Sequence, residues 1–171
     1  MVCLKKVVIL SLVCILLCAC AAGIAAPDLS GADFTADIAF SLGGRDYAAT
    51  YTKEAGTETL VFGAPESLCG MTAVRGTDGA ITVTVGDLCY AAEAADGMFG
   101  FAALFVPPAD VLRFVSETDG ERCFSGSDGA DSYTVYTDTE GLPLRLCGTV
   151  DGREYDIQVL RFVRMERSDP Q

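Results

Sequence analysis

Five Asp-Gly pairs, beginning at Asp78, Asp96, Asp119, Asp128 and Asp151, constrain this chain more than any other feature. Glycine accepts positive φ at little steric cost, so Asp-Gly between apolar-periodic runs is hairpin chemistry. The runs between the turns have a period of two. Residues 34–42 alternate Phe34, Ile38, Phe40 and Leu42 against Thr35, Asp37 and Ser41, which predicts a half-buried strand. Gly43-Gly44-Arg45-Asp46 turns the chain into a second strand over 47–52, and a third over 58–62 ends near Pro65. Residues 68–75 and 81–85 flank Thr77-Asp78-Gly79, and Gly86-Asp87 marks a bulge or break before Leu88-Cys89-Tyr90.

The alternation stops over 90–106, in the run Met98-Phe99-Gly100-Phe101-Ala102-Ala103-Leu104-Phe105-Val106. Pro107-Pro108 is then expected to open a short helix over 109–117, because proline is tolerated in a first turn. Asp110 suits the positive end of such a helix, Val111, Leu112 and Val115 form its buried stripe, and Gly120 stops it. Strands resume over 122–125, 132–137, 144–150 and 154–162, before a polar tail over 164–171.

The predicted fold is therefore mainly β, with about ten antiparallel strands and one short helix after the fifth or sixth. A sheet that long curls, and one short helix is too small to cover it. A half-barrel with an apolar concave face follows. Candidates for lining its cavity or rim are Phe40, Phe62, Met98, Phe99, Phe101, Leu104, Phe105, Val111 and Val115. The run 98–106 has two readings: a mobile rim over the opening, or a buried connector that plugs the half-barrel.

The N-terminus carries a different signal. Lys5 and Lys6 precede an apolar run over 7–17, which ends at Leu17-Cys18-Ala19-Cys20. The segment resembles a bacterial lipoprotein signal peptide, whose motif is Leu, two small residues and the Cys that is lipidated. The resemblance implies a signal peptide over 1–19, acylation (palmitate-type chains) at Cys20 and a short tether over 20–33. Alternatives are an ordinary signal cleaved at Ala22 or Ala26, or an uncleaved helix. The run is short for a membrane span, which needs about 20 apolar residues. Lipidation would place the chain on the extracytoplasmic face of the cell membrane, held by its acyl chains.

Charge and composition exclude several functions. Lys and Arg total 12 against 24 Asp and Glu, a net charge of −12, and two of the lysines belong to the leader. Such an acidic domain is repelled by phosphate, so no nucleic-acid partner is expected. The chain has no His, which removes the usual general base and the commonest metal ligand. Neither enzymatic activity nor a cofactor or metal is expected, and the Asp-Gly turns lack the spaced ligands of an EF-hand. Four cysteines lie beyond Cys20. Cys69 and Cys89 flank the Thr77-Asp78-Gly79 hairpin at nearly equal distance, and a bulge at Gly86 would bring them into register for a bridge. Free, buried thiols are the alternative. Cys123 and Cys147 should lie on strands separated by a third, about 10 Å apart and beyond disulfide reach.

The order of features resembles the LolA-like lipoprotein-carrier superfamily over the domain 34–163. A strand ends at Pro65-Glu66, a hairpin turns at Thr77-Asp78-Gly79, and Gly86-Asp87-Leu88-Cys89-Tyr90 leads to a lid-like segment. The last hairpins, with Gly141-Leu142-Pro143-Leu144 between them, complete the pattern. The resemblance implies a half-barrel able to hold acyl chains or an apolar partner segment. Two functional readings compete: a lipoprotein binding an acyl chain, lipid or lipopeptide on its concave face, and a non-catalytic structural or protein-interaction lipoprotein with a filled core. A continuous apolar void would mark the first, a packed interior the second.

Overall fold

The computed structural model describes residues 24–42, 44–91, 96–108 and 110–165. The leader, Cys20 and residues 166–171 of the tail lie outside that set. Eleven strands form one antiparallel sheet in the order β6-β5-β4-β3-β2-β1-β11-β10-β9-β8-β7. The first half runs through β1 (Asp33–Leu42), β2 (Arg45–Glu54), β3 (Thr57–Ala64), β4 (Thr72–Arg75), β5 (Ile81–Val85) and β6 (Leu88–Ala91). The second runs through β7 (Arg113–Thr118), β8 (Glu121–Asp128), β9 (Asp131–Thr137), β10 (Pro143–Val150) and β11 (Arg153–Met165). Each half is a meander of hairpins, as the turn chemistry demands. The halves join where β1 pairs β11, from Asp33 opposite Met165 to Phe40 opposite Ile157.

This order makes β6 and β7 the two edges of the sheet although they are neighbours in sequence. Laid flat, eleven strands spaced about 4.8 Å apart would separate those edges by about 48 Å. The sheet curls, and the connection between its edges crosses the concave side. That connection carries two single turns of helix, α1 (Asp96–Phe99) and α2 (Ala102–Phe105). The core lies between this crossing and the sheet. Phe34, Ala36, Ile38 and Phe40 of β1 alternate into it, and Tyr51, Leu60, Phe124, Leu146 and Ile157 join from neighbouring strands. The half-barrel expected from the alternation is the fold observed.

The helix expected over 109–117 does not form, and β7 occupies Arg113–Thr118 instead. Helix precedes Pro107-Pro108 rather than following it. The ring of a proline disfavours helical geometry in the residue before it, so the pair closes α2 and releases the chain in an extended form. Phe114 and Val115 then favour the strand. Val115 sits at an irregularity in the β7–β8 register, between Phe114 and Ser116, and is 60% exposed. That bulge takes it out of the alternation.

All four described cysteines are free. The Cys69–Cys89 bridge is absent because Pro65 and a 3₁₀ turn (Glu66–Leu68) lift Cys69 out of the ladder, while Cys89 pairs with Thr84. Cys123 and Cys147 lie on β8 and β10, opposite Tyr136 and Thr134 of the intervening β9. On this convex side Arg145 makes a bidentate pair with Asp156, at 2.8 and 2.6 Å. Burial, reinforced by the Asp156 carboxylate, pushes the Cys147 thiol up from its ordinary value and so keeps it protonated.

Candidate functional site

The candidate site is the concave face and the segment that crosses it. Alternation puts Phe34 and Phe40 of β1, Tyr47 and Tyr51 of β2 and Phe62 of β3 on one side of the sheet. The crossing inserts two rings among them. Phe101 lies 5.8 Å from Phe40 and 5.2 Å from Tyr51, between ring centroids. Phe105 lies 5.4 Å from Phe34 and 5.3 Å from Tyr51. Phe99, Phe101 and Leu104 are each 1% exposed, and Phe105 is 2%. Residues 98–106 are thus the connector that fills the half-barrel, and the centre of the concave face is packed with rings.

Of the other candidates, Phe40 and Phe62 are buried in the same cluster, and Phe62 reaches it through Tyr47 at 6.3 Å. Met98 and Val111 are partly buried against it. Val115 stands apart on the edge strand. Phe34, Tyr47, Tyr51 and Phe162 also belong to the cluster, with Phe162 stacked 5.0 Å from Phe34. Period-two alternation already places Phe34 on the face of Ile38 and Phe40, and the ring contacts add it to the lining set.

Two glycines permit close approaches, Gly126 to the crossing and Gly148 chiefly to the neighbouring strand β9. A Cβ on Gly148 would run into the Ser132 carbonyl oxygen and come within 3.0 Å of Leu104 Cδ2. A Cβ on Gly126 would run into the Val111 carbonyl oxygen. Both obstacles are backbone and cannot swing aside. Gly148→Ala and Gly126→Ala should each lower stability by about 1–3 kcal/mol, the usual cost of overpacking. Urea titration of the chain starting at Ala21 checks this, and unchanged midpoints would contradict these close approaches.

One margin of the plug is polar. A cleft of about 460 Å³ lies between Phe99 and Val106 on the crossing, Lys53, Glu58 and Arg75 on β2–β4, and Asp151. Glu58 and Arg75 form an ion pair across β3 and β4. The Arg75 guanidinium sits 5.0 Å from the centre of the Phe99 ring, in cation–π geometry. Lys53 Nζ donates to the carbonyl oxygens of Ser30, at 2.7 Å, and Leu29, at 3.3 Å, and so ties the N-terminal tether to β2. Among the described residues, the buried phenols of Tyr51, against the plug, and of Tyr155, on β11, have no hydrogen-bond partner. Burial, with the nearby Glu58 carboxylate as the lesser cause, holds the Tyr51 phenol far above its ordinary value, so it stays a neutral donor. Among the described residues, no three His, Cys, Asp or Glu side chains converge as metal ligands.

No family model and no curated protein matches the sequence. Solved structures do share its architecture. An uncharacterized conserved protein from Thermus thermophilus superposes with a TM-score of 0.51 at 18% identity, covering 82% of this chain and 83% of that one. The two share a fold. A LolA superfamily protein from Nitrosomonas europaea gives a TM-score of 0.48 at 10% identity, over 83% of this chain and 90% of that one. MucB, from the Pseudomonas aeruginosa MucA/MucB complex, gives 0.46 at 16% identity, over 82% of this chain and 54% of that one.

Proposed function

We propose that this chain is a membrane-anchored, extracytoplasmic lipoprotein without catalytic activity, and that its concave face binds an acyl chain, lipid or lipopeptide. Residues 1–19 act as the signal peptide and Cys20 carries the lipid. The supporting observation is the cover of the concave face. An aromatic surface in an eleven-strand sheet is closed by two four-residue helices, and among the described residues the buried Tyr51 and Tyr155 hydroxyls have no hydrogen-bond partner. A buried hydroxyl without a partner costs about 1–3 kcal/mol, which a ligand's polar group could recover. The plug follows Gly97 and ends at Pro107-Pro108, and in this reading residues 98–106 move as a unit. In this reading the structure is the closed state, and ligand takes the place of Phe101 and Phe105.

The tight burial of those two rings favours a second reading, in which the plug is permanent core and the protein is an interaction lipoprotein. Hydrogen exchange separates the two. Titrating the chain that starts at Ala21 with a diacylated lipopeptide should lower amide protection over 96–106 while leaving β1 and β11 protected. Binding without that loss, or no binding at all, would remove the acyl-chain reading and leave the second.

A further inference from the structure

The tether end of the domain carries a second apolar cleft, distinct from the plugged face. Residues 24–28 and 30 form one wall, and residues 107, 108, 110 and 112–114 form the other. The space between them is about 590 Å³. Ile24, Pro27, Pro107, Pro108 and Phe114 supply its apolar surface. Ile24 is 36% exposed and Phe114 38%, so large apolar groups on both walls face solvent. Prolines suit such a surface further, because they present no unpaired backbone N–H to an apolar phase.

We infer that this cleft rests on the lipid surface of the membrane, with Ile24, Pro108 and Phe114 in the interfacial layer. The inference depends on acylation of Cys20 as proposed above. An extended chain covers at most about 3.6 Å per residue, so Ile24 lies within about 15 Å of a lipidated Cys20. The anchor therefore brings this edge of the domain to the bilayer before any other. The charges at the cleft are Asp28, Asp110 and Arg113. The Asp28 carboxylate already accepts from the Ser30 backbone N–H at 2.9 Å. Arg113 can meet headgroup phosphates, while the two carboxylates disfavour an anionic surface, so the fitting surface is zwitterionic. Pro107 follows the plug directly. The same orientation would bring the C-terminal end of the plug to the membrane, where an acyl chain leaving the bilayer meets the concave face.

The chain has no Trp, so one introduced Trp is a unique reporter. F114W and P108W place it in the cleft, and L88W places it at a separate exposed apolar site, where Leu88 is 72% exposed beside Val85 and Tyr90. Each full-length lipidated variant is reconstituted into phosphatidylcholine vesicles with or without brominated acyl chains, and bound protein is isolated by flotation. The F114W and P108W reporters should each lose about half of their emission or more to the brominated lipid, as expected for side chains in the interfacial layer, and L88W should lose little. Equal quenching at all three positions, or stronger quenching at L88W, overturns the docking while the anchor stands. Failure of the unsubstituted protein to float overturns the anchor, and the docking with it.

Discussion

Phe101→Ala and Phe105→Ala should each cost about 3–5 kcal/mol of folding stability, the range for truncating a fully buried ring. Each ring is buried, and each touches two aromatic partners from the sheet or more. Truncation removes the apolar transfer term, leaves a cavity, and forfeits aromatic pairs worth about 0.5–1.5 kcal/mol each. Urea denaturation of the chain starting at Ala21 gives the number. The same variants separate the two functional readings, because a weakened plug costs less to displace. An acyl ligand that binds by displacement should therefore bind Phe101→Ala more tightly than the unsubstituted protein, by the gain in the open population. A loss below about 1 kcal/mol would show that the rings are not core, and would contradict the packing described.

Cys20→Ser should abolish lipid attachment. The expected result is a precursor that retains residues 1–19, with no incorporation of labelled palmitate and altered gel mobility. Membrane fractionation alone is a poor readout, since an uncleaved apolar leader can hold a precursor on the bilayer. The effect is large because each buried methylene contributes about 0.8 kcal/mol, and two or three chains act together. Normal processing with normal palmitate incorporation in the variant would refute the assignment of Cys20.

Most of the hairpins were legible in the residues. Asp-Gly and Gly-containing turns are local signals, and alternation such as Phe34, Ile38 and Phe40 names the buried face of its strand without any knowledge of the partner strand. The pairing of β1 with β11 was not legible in that way. It closes over nearly the whole domain, and no local signal specifies a contact between segments so far apart. The place of the crossing follows from that pairing. Once β1 meets β11, β6 and β7 become opposite edges, and the segment between them has to traverse the concave face.

The sequence alone determined that residues 98–106 are apolar and bounded by glycine and prolines; only the tertiary structure decided that they are core. A phenylalanine reads the same whether it edges an opening or fills one, because hydrophobic burial depends on the opposing surface, which the run itself does not contain. Gly126 and Gly148 make the same point. Neither marks a turn, and their function as clearance, Gly126 for Val111 and Gly148 for Ser132 and Leu104, exists only when separate strands and the crossing are brought together. The helix expected over 109–117 failed for a related reason. The Pro-Pro pair is compatible with a helix start and with a helix end, and the choice fell to the edge of the sheet, where β8 offers residues 113–118 a hydrogen-bonding partner.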